Sequence, residues 1–156
     1  MSKLLLLLLP VLVVACNPNE CYNAYQSVGS EGWHRDSTLT FSVPVSDTLT
    51  ACSVELQIRH TGSYPYDNLW VAVGMANPDS TALLSDTIEL KLADQQSNWI
   101  GAGSGHILHL THLLRSDYRF NRSGTYTFTI RHCMDDVLLK EVSHAGLRIA
   151  YQNGKE

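Results

Sequence analysis

Three clusters in this 156-residue chain hold side chains able to do chemistry. His106, His109 and His112 recur every third residue. On a helix these imidazoles would drift around one side and could approach a metal; on a strand His109 points opposite to the other two. Zinc wants its ligands on one face, backed by orienting partners, and no C-x-x-C or Cys/His finger spacing occurs, so surface decoration is the expectation and no metal site is. Gly101, Gly103 and Gly105 form a glycine-rich run. No Lys-Ser/Thr follows and no βαβ unit surrounds it, which excludes a P-loop and a dinucleotide fingerprint. Ser104, inside Gly103-Ser104-Gly105, lacks the G-x-S-x-G elbow of hydrolases. Asp135 and Asp136 are adjacent, and on an extended chain their carboxylates diverge, a poor acid–base pair and a poor cation cage. No catalytic constellation emerges. The expectation is a protein that is not an enzyme and needs no cofactor.

One thiol has a definite assignment. Lys3 gives a positive start, Leu4 to Leu9 and Val11 to Ala15 are apolar apart from Pro10 between them, and the run ends in Val13-Val14-Ala15-Cys16. A basic start, a short apolar core and a small exit residue make an export signal. The apolar part is shorter than the roughly 20 residues a membrane-spanning helix needs. The closing tetrad resembles a lipobox, the recognition sequence of bacterial lipoproteins. There the cysteine takes a diacylglyceryl group, the bond before it is cut, and the new amino terminus is acylated. Residues 1–15 are thus expected to be a signal peptide, 16–20 the lipidated Cys16 with a short leader, and 21–156 the folded domain. One acyl chain, at about 0.8 kcal/mol per buried methylene, holds only marginally; several on one residue make a firm anchor. Cys21, Cys52 and Cys133 are an odd set that cannot all pair. A disulfide between two of them stays open, with free thiols favoured.

The aromatics offer a second kind of chemistry. Trp33, Tyr64, Tyr66 and Trp99 fall in or beside loops. Exposed rings serve as stacking platforms for sugars or as anchors for a protein partner. A carbohydrate-binding module predicts a solvent-exposed coplanar pair among these four. Trp70 lies within an apolar stretch and is expected in the core.

The elements that would position these residues read as strands. Leu39 to Val45, Cys52 to Arg59, Asp86 to Leu92, Thr125 to Arg131 and Ala145 to Tyr151 alternate apolar and polar with period two, the mark of half-buried strands. Cys21 to Val28 reads as an edge strand, and Pro44 puts its own strand at an edge. Leu69 to Met75 is apolar throughout and is expected to be buried on both faces. His106 to Leu114 fits a helical face through Ile107, Leu110 and Leu114, and a strand through Leu108, Leu110, His112 and Leu114; neighbouring strands favour the second. Trp33-His34 reads as loop, Arg115 to Gly124 as a polar connection and Cys133 to Ser143 as an irregular crossing. About eight short strands with turn signals between them predict an all-β single sandwich, jelly-roll-like, with an immunoglobulin-like sandwich as the alternative.

The body is acidic, since residues 1–15 contain one of the 11 basic residues and none of the 15 acidic ones. A nucleic-acid partner would want a basic face.

Arg59-His60-Thr61-Gly62-Ser63-Tyr64-Pro65-Tyr66-Asp67-Asn68-Leu69-Trp70 resembles the signature of the GldH family of gliding-motility lipoproteins. Tyr25-Gln26-Ser27 with Gly32-Trp33-His34 is similar to that family's opening, and Asn98-Trp99-Ile100-Gly101-Ala102-Gly103 to its middle loop. Gly124-Thr125-Tyr126-Thr127-Phe128, Met134 and Gly146-Leu147-Arg148-Ile149 are similar to its end. His132-Cys133 stands where relatives often show a glutamine-alanine pair. The resemblance implies an outer-membrane lipoprotein of Bacteroidota-type bacteria, linked to gliding and by association to type IX secretion. It implies no catalytic residue, cofactor or ligand. The expected partners are the membrane, through Cys16, and other envelope proteins. The periplasmic face is preferred, because Asn17 follows Cys16 and Glu20 is the leader's only acid.

Overall fold

The computed structural model describes residues 19–152. Its regular elements are strands: β1 (Glu20–Ser27), β2 (Trp33–His34), β3 (Leu39–Val45), β4 (Cys52–Thr61), β5 (Asn68–Ala76), β6 (Ala82–Lys91), β7 (Ala102–Ser104), β8 (Ile107–Tyr118), β9 (Gly124–His132), β10 (Leu138–Leu139) and β11 (Val142–Tyr151). One sheet has the order β1-β11-β4-β8-β7, the other β3-β9-β5-β6, and β10-β2 forms a two-stranded clip. Counting only the eight long strands, the first, eighth, third and sixth face the second, seventh, fourth and fifth. That arrangement is a jelly roll, so the immunoglobulin-like alternative gives way.

Period two in the sequence becomes inside and outside in the sandwich. Leu39, Phe41, Val43 and Val45 are buried while Thr40, Ser42 and Pro44 are exposed. Val54, Leu56 and Ile58 of one sheet meet a core shared with Tyr126, Phe128 and Ile130 of the other, closed by Ala145, Leu147 and Ile149. Each large apolar side chain removed from water contributes about 1.5–3 kcal/mol, so this alternation holds the layers together. Both edge expectations agree with the sheets: β1 and β3 are edge strands, and Pro44 needs no ladder donor there.

Three readings change. Leu69, Val71, Val73 and Met75 are buried, but Trp70 is 40 % exposed and Ala72 and Gly74 lie on the same outer face. Only two layers exist, so β5 has one covered side, and Trp70 is not a core residue. The ambiguous stretch is strand β8, which runs on to Tyr118 and takes in Arg115 to Tyr118 from the expected polar connection. Trp33-His34 is paired rather than loop, bound to Leu139 and Leu138.

The loops sort to two ends. The described chain enters at Asn19, whose carbonyl accepts from Tyr151 N at 2.7 Å. Loops 46–51, 77–81 and 119–123 lie at this end, because Val45 pairs with Gly124, Cys52 with Tyr118 and Tyr151 with Cys52. The other long loops, 28–38, 62–67, 92–106 and 133–141, gather at the opposite end, where Ser27 pairs with His144 and Thr61 with Ile107. Strand β1 spans the distance between them. Across its sheet, Arg148 donates to Glu20 at 2.7 Å and to Glu55 at 2.8 Å, tying β1, β11 and β4.

Candidate functional site

The loop end of the sandwich is built outward from β4. His60, its last inward residue, is fully buried. Its Nδ1 donates to the Thr61 carbonyl at 2.9 Å, and its Nε2 has no partner among the described residues. The chain then turns through Gly62 to Asp67. Tyr64 folds back under the turn, buried, with its hydroxyl donating to the Asn68 carbonyl at 3.0 Å. The His60 ring stands edge-on to Trp99 at 4.8 Å and packs against Tyr64 at 5.7 Å. Tyr64 in turn meets Tyr66 edge-on at 5.7 Å, and the Tyr66 hydroxyl donates to Asp136 at 2.7 Å. Trp99, His60, Tyr64 and Tyr66 therefore form a continuous string of rings. It ties together the 92–106, 62–67 and 133–141 loops.

Two open clefts flank this string. One, of about 500 Å³, is walled by Trp99 and His106 over Gly62 and Ser63. The other, of about 280 Å³, lies between Gly29–Gly32 and Lys140–Ser143. Thr61 and Glu141 line both and form the ridge between them. Burial holds the His60 imidazole below its ordinary pKa, against a smaller opposing effect of the Thr61 carbonyl. Burial likewise lowers His132, on the same end of the core, and raises the Tyr64 phenol. The hydrogen bond to Asp136 raises Tyr66.

The chemistry-capable residues are kept apart. His106 faces the larger cleft, His109 points outward and accepts from Arg59 Nε at 3.2 Å, and His112 points inward from β8. Among the described residues no group of three or more His, Cys, Asp or Glu could hold a metal ion. Asp136 is engaged by Tyr66, and the Asp135 carbonyl accepts from Arg35. Gly101 and Gly103 serve close packing: a Cβ would meet the His109 carbonyl at 2.8 Å and the Ile107 carbonyl at 2.3 Å. Cys21, Cys52 and Cys133 are free thiols. Cys52 is buried, and burial pushes its thiol up to about 11.

The four candidate rings do not make a sugar platform. Trp33 is fully buried, its Nε1 donating to the Ser37 carbonyl at 3.1 Å and its ring edge-on to His132 at 5.5 Å. Tyr64 is buried as well. Tyr66 is partly exposed but stands at 74° to Tyr64, and Trp99 is half-buried against His60. The coplanar exposed pair is therefore missing. Sequence reasoning also overlooked Glu141, whose place on the ridge carries no local signal, and the exposed Ile100 and Val137 beside the rings. The lipid-bearing Cys16 lies outside the described residues.

Fold and site define a jelly-roll β-sandwich with two open clefts at one end, one of them walled by Trp99 and His106. The chain belongs to the GldH lipoprotein family, whose model matches residues 20–149. The gliding motility lipoprotein GldH of Flavobacterium johnsoniae is 29 % identical over 130 residues, covering 83 % of this chain and 79 % of the relative. A GldH homolog of Christiangramia forsetii is 26 % identical over 124 residues, covering 80 % of this chain and 75 % of the relative. Among solved structures, the VP2 subviral particle of infectious bursal disease virus aligns with 99 % of this chain and 38 % of its own, at 12 % identity and a TM-score of 0.38. The family is one of lipoproteins, which implies association with a membrane, and both relatives are named for gliding motility.

Proposed function

We propose that this protein is a non-enzymatic docking component of the envelope machinery for gliding and, by association, type IX secretion. Cys16 holds it in the outer membrane on the periplasmic face, and envelope proteins bind at the loop end. The observation that carries this reading is the opposition of the two ends. The chain enters β1 at Glu20, whereas both clefts sit at the opposite end, where β1 finishes. Tyr66, Ile100, Ile107 and Val137, all partly exposed, lie in or next to the loops of this end, and Ile107 follows His106 of the larger cleft. Aromatic and aliphatic side chains held in fixed places are what a protein partner uses as anchors.

Photo-crosslinking in the native envelope tests this. A crosslinker at Ile100 or Val137 is expected to trap discrete envelope proteins, and one at Leu83, near the other end, is expected to trap none of them. Equal trapping from both ends would overturn the assignment of the docking end. Deletion of the gene with gliding and secretion both intact would overturn the machinery reading itself. Protease shaving of intact cells, expected to leave the domain uncut, tests the periplasmic face.

A further inference from the structure

The end of the sandwich where the chain enters has its own unexplained feature. Leu49, at the tip of the β3–β4 loop, is 85 % exposed, the most exposed large hydrophobic side chain among the described residues. The tip is nevertheless held in place. Asp47 Oδ1 accepts from the Leu49 amide at 2.8 Å and from the Thr50 amide at 3.0 Å. Arg119 Nε donates to the Leu49 carbonyl at 3.1 Å from the β8–β9 loop. A braced loop presenting an apolar side chain to solvent has something to meet.

Its position says what that is. Gln152 N donates to the Ala51 carbonyl at 2.8 Å, and the adjacent Tyr151 N donates to the Asn19 carbonyl at 2.7 Å, so the Leu49 loop sits beside the point of chain entry. Residues 17 and 18 are all that separate Cys16 from Asn19. At no more than 3.8 Å between successive Cα atoms, that tether reaches about 11 Å. Acyl chains on Cys16 would therefore hold this end against the bilayer. An interfacial apolar side chain sits about 5–10 Å into the headgroup and acyl boundary, within such a tether's reach. Most carboxylates at this end are already engaged, Asp117 being the exposed exception. The Asp47 carboxylate is occupied by the loop's own amides, Asp79 pairs with Arg122, and Glu20 pairs with Arg148. Arg119, beside Leu49, has no carboxylate partner among the described residues and stands where lipid phosphates would lie.

We propose that the β3–β4 loop is a second membrane contact. Leu49 inserts into the lipid interface and Arg119 meets phospholipid phosphate. The sandwich is thereby stood upright on the bilayer with its clefts directed away from it. This rests on Cys16 carrying the lipid, as in the function proposed above.

The test uses the full, processed, lipidated chain in vesicles of phosphatidylethanolamine and phosphatidylglycerol, with acyl-brominated lipids as quenchers. The natural indoles, Trp33, Trp70 and Trp99, belong to the cleft end or border it, so brominated lipid is expected to leave the wild-type emission within a tenth of its value in ordinary lipid. In Leu49→Trp the added emission is expected to fall by half or more. In Val137→Trp, at the cleft end, it is expected to stay. Both positions are exposed, so neither change threatens the fold. Failure of the wild type to float with vesicles overturns the anchor and this contact with it. Flotation with an unquenched Leu49→Trp variant overturns the contact alone, and crosslinked dimers through the loop would then assign Leu49 to a second copy of the chain. Equal quenching of both variants would show a domain lying flat, which also overturns the proposal.

Discussion

Thr61 and Glu141 hold each other twice. The Thr61 amide donates to the Glu141 carbonyl at 2.8 Å, and the Thr61 hydroxyl donates to the Glu141 carboxylate. Glu141 does this with φ at 69°, the left-handed region that a side chain rarely adopts. The ridge between the clefts is thus locked at the expense of local backbone strain of roughly 1–2 kcal/mol. Glu141→Ala keeps the strain and loses the carboxylate bond, whereas Glu141→Gly loses the bond and relieves the strain. The glycine variant is expected to be more stable than the alanine variant by about 1 kcal/mol in urea denaturation. Equal stabilities would show that the strain is not there.

Acid should weaken the fold through its buried imidazoles. His60 and His132 are held neutral by burial, so their folded pKa values lie below the unfolded 6.5. Below pH 6.5 the unfolded chain binds more protons than the folded one, so stability falls as pH drops, down to the depressed folded values. Above pH 6.5 these two groups add no pH dependence. The urea midpoint should therefore be lower at pH 5 than at pH 7, and His132→Leu should flatten that difference.

Gly146 leaves room for one ring. A Cβ there would meet Tyr25 Cδ1 at 2.8 Å and the Ala24 carbonyl oxygen at 2.9 Å. Tyr25 cannot simply swing away, because the Arg59 guanidinium lies 3.6 Å above its ring. Gly146→Ala should cost about 1–3 kcal/mol in chemical denaturation, the range for overpacking a fitted site.

Arg148 pairs with two carboxylates at once. Without it, Glu20 and Glu55 would face each other across β11, with side chains 26 % and 16 % exposed. A fully buried pair broken this way costs about 3–5 kcal/mol, and partial solvation reduces that to about 2 kcal/mol for Arg148→Met. Arg148→Lys, which keeps a positive charge between the two glutamates, should recover part of the loss in urea denaturation; a lysine variant as unstable as the methionine one would point to packing instead.

Ile100→Asp and Val137→Asp should separate binding from folding. Both side chains are more than half exposed, so thermal stability should change by less than about 0.5 kcal/mol. Co-purification of envelope partners should fall at least tenfold. Unchanged recovery would remove the loop end as a docking surface.

The sequence made the inner faces of β3, β4, β9 and β11 readable because each alternates large apolar with polar residues. It misled at β5, where Trp70, Ala72 and Gly74 are as apolar as the buried set between them; composition does not distinguish a small apolar residue outside from one inside. The clip between Trp33-His34 and Leu138-Leu139 joins segments about a hundred residues apart, so no local pattern announces it. At the site, Tyr64, Tyr66 and Trp99 were legible as rings near loops, but not their order or burial, which depend on His60 standing between them. Glu141 was invisible because its role comes from a backbone angle.

Strand β1 also fixes how the molecule would bear mechanical force. It pairs with β11 alone, antiparallel, from Glu20 to Ser27. A load applied at the clefts and resisted through residue 19 would pull along the strand, across hydrogen bonds that run perpendicular to it. Those bonds would then be sheared together rather than peeled apart in turn, the stronger geometry for a part under tension.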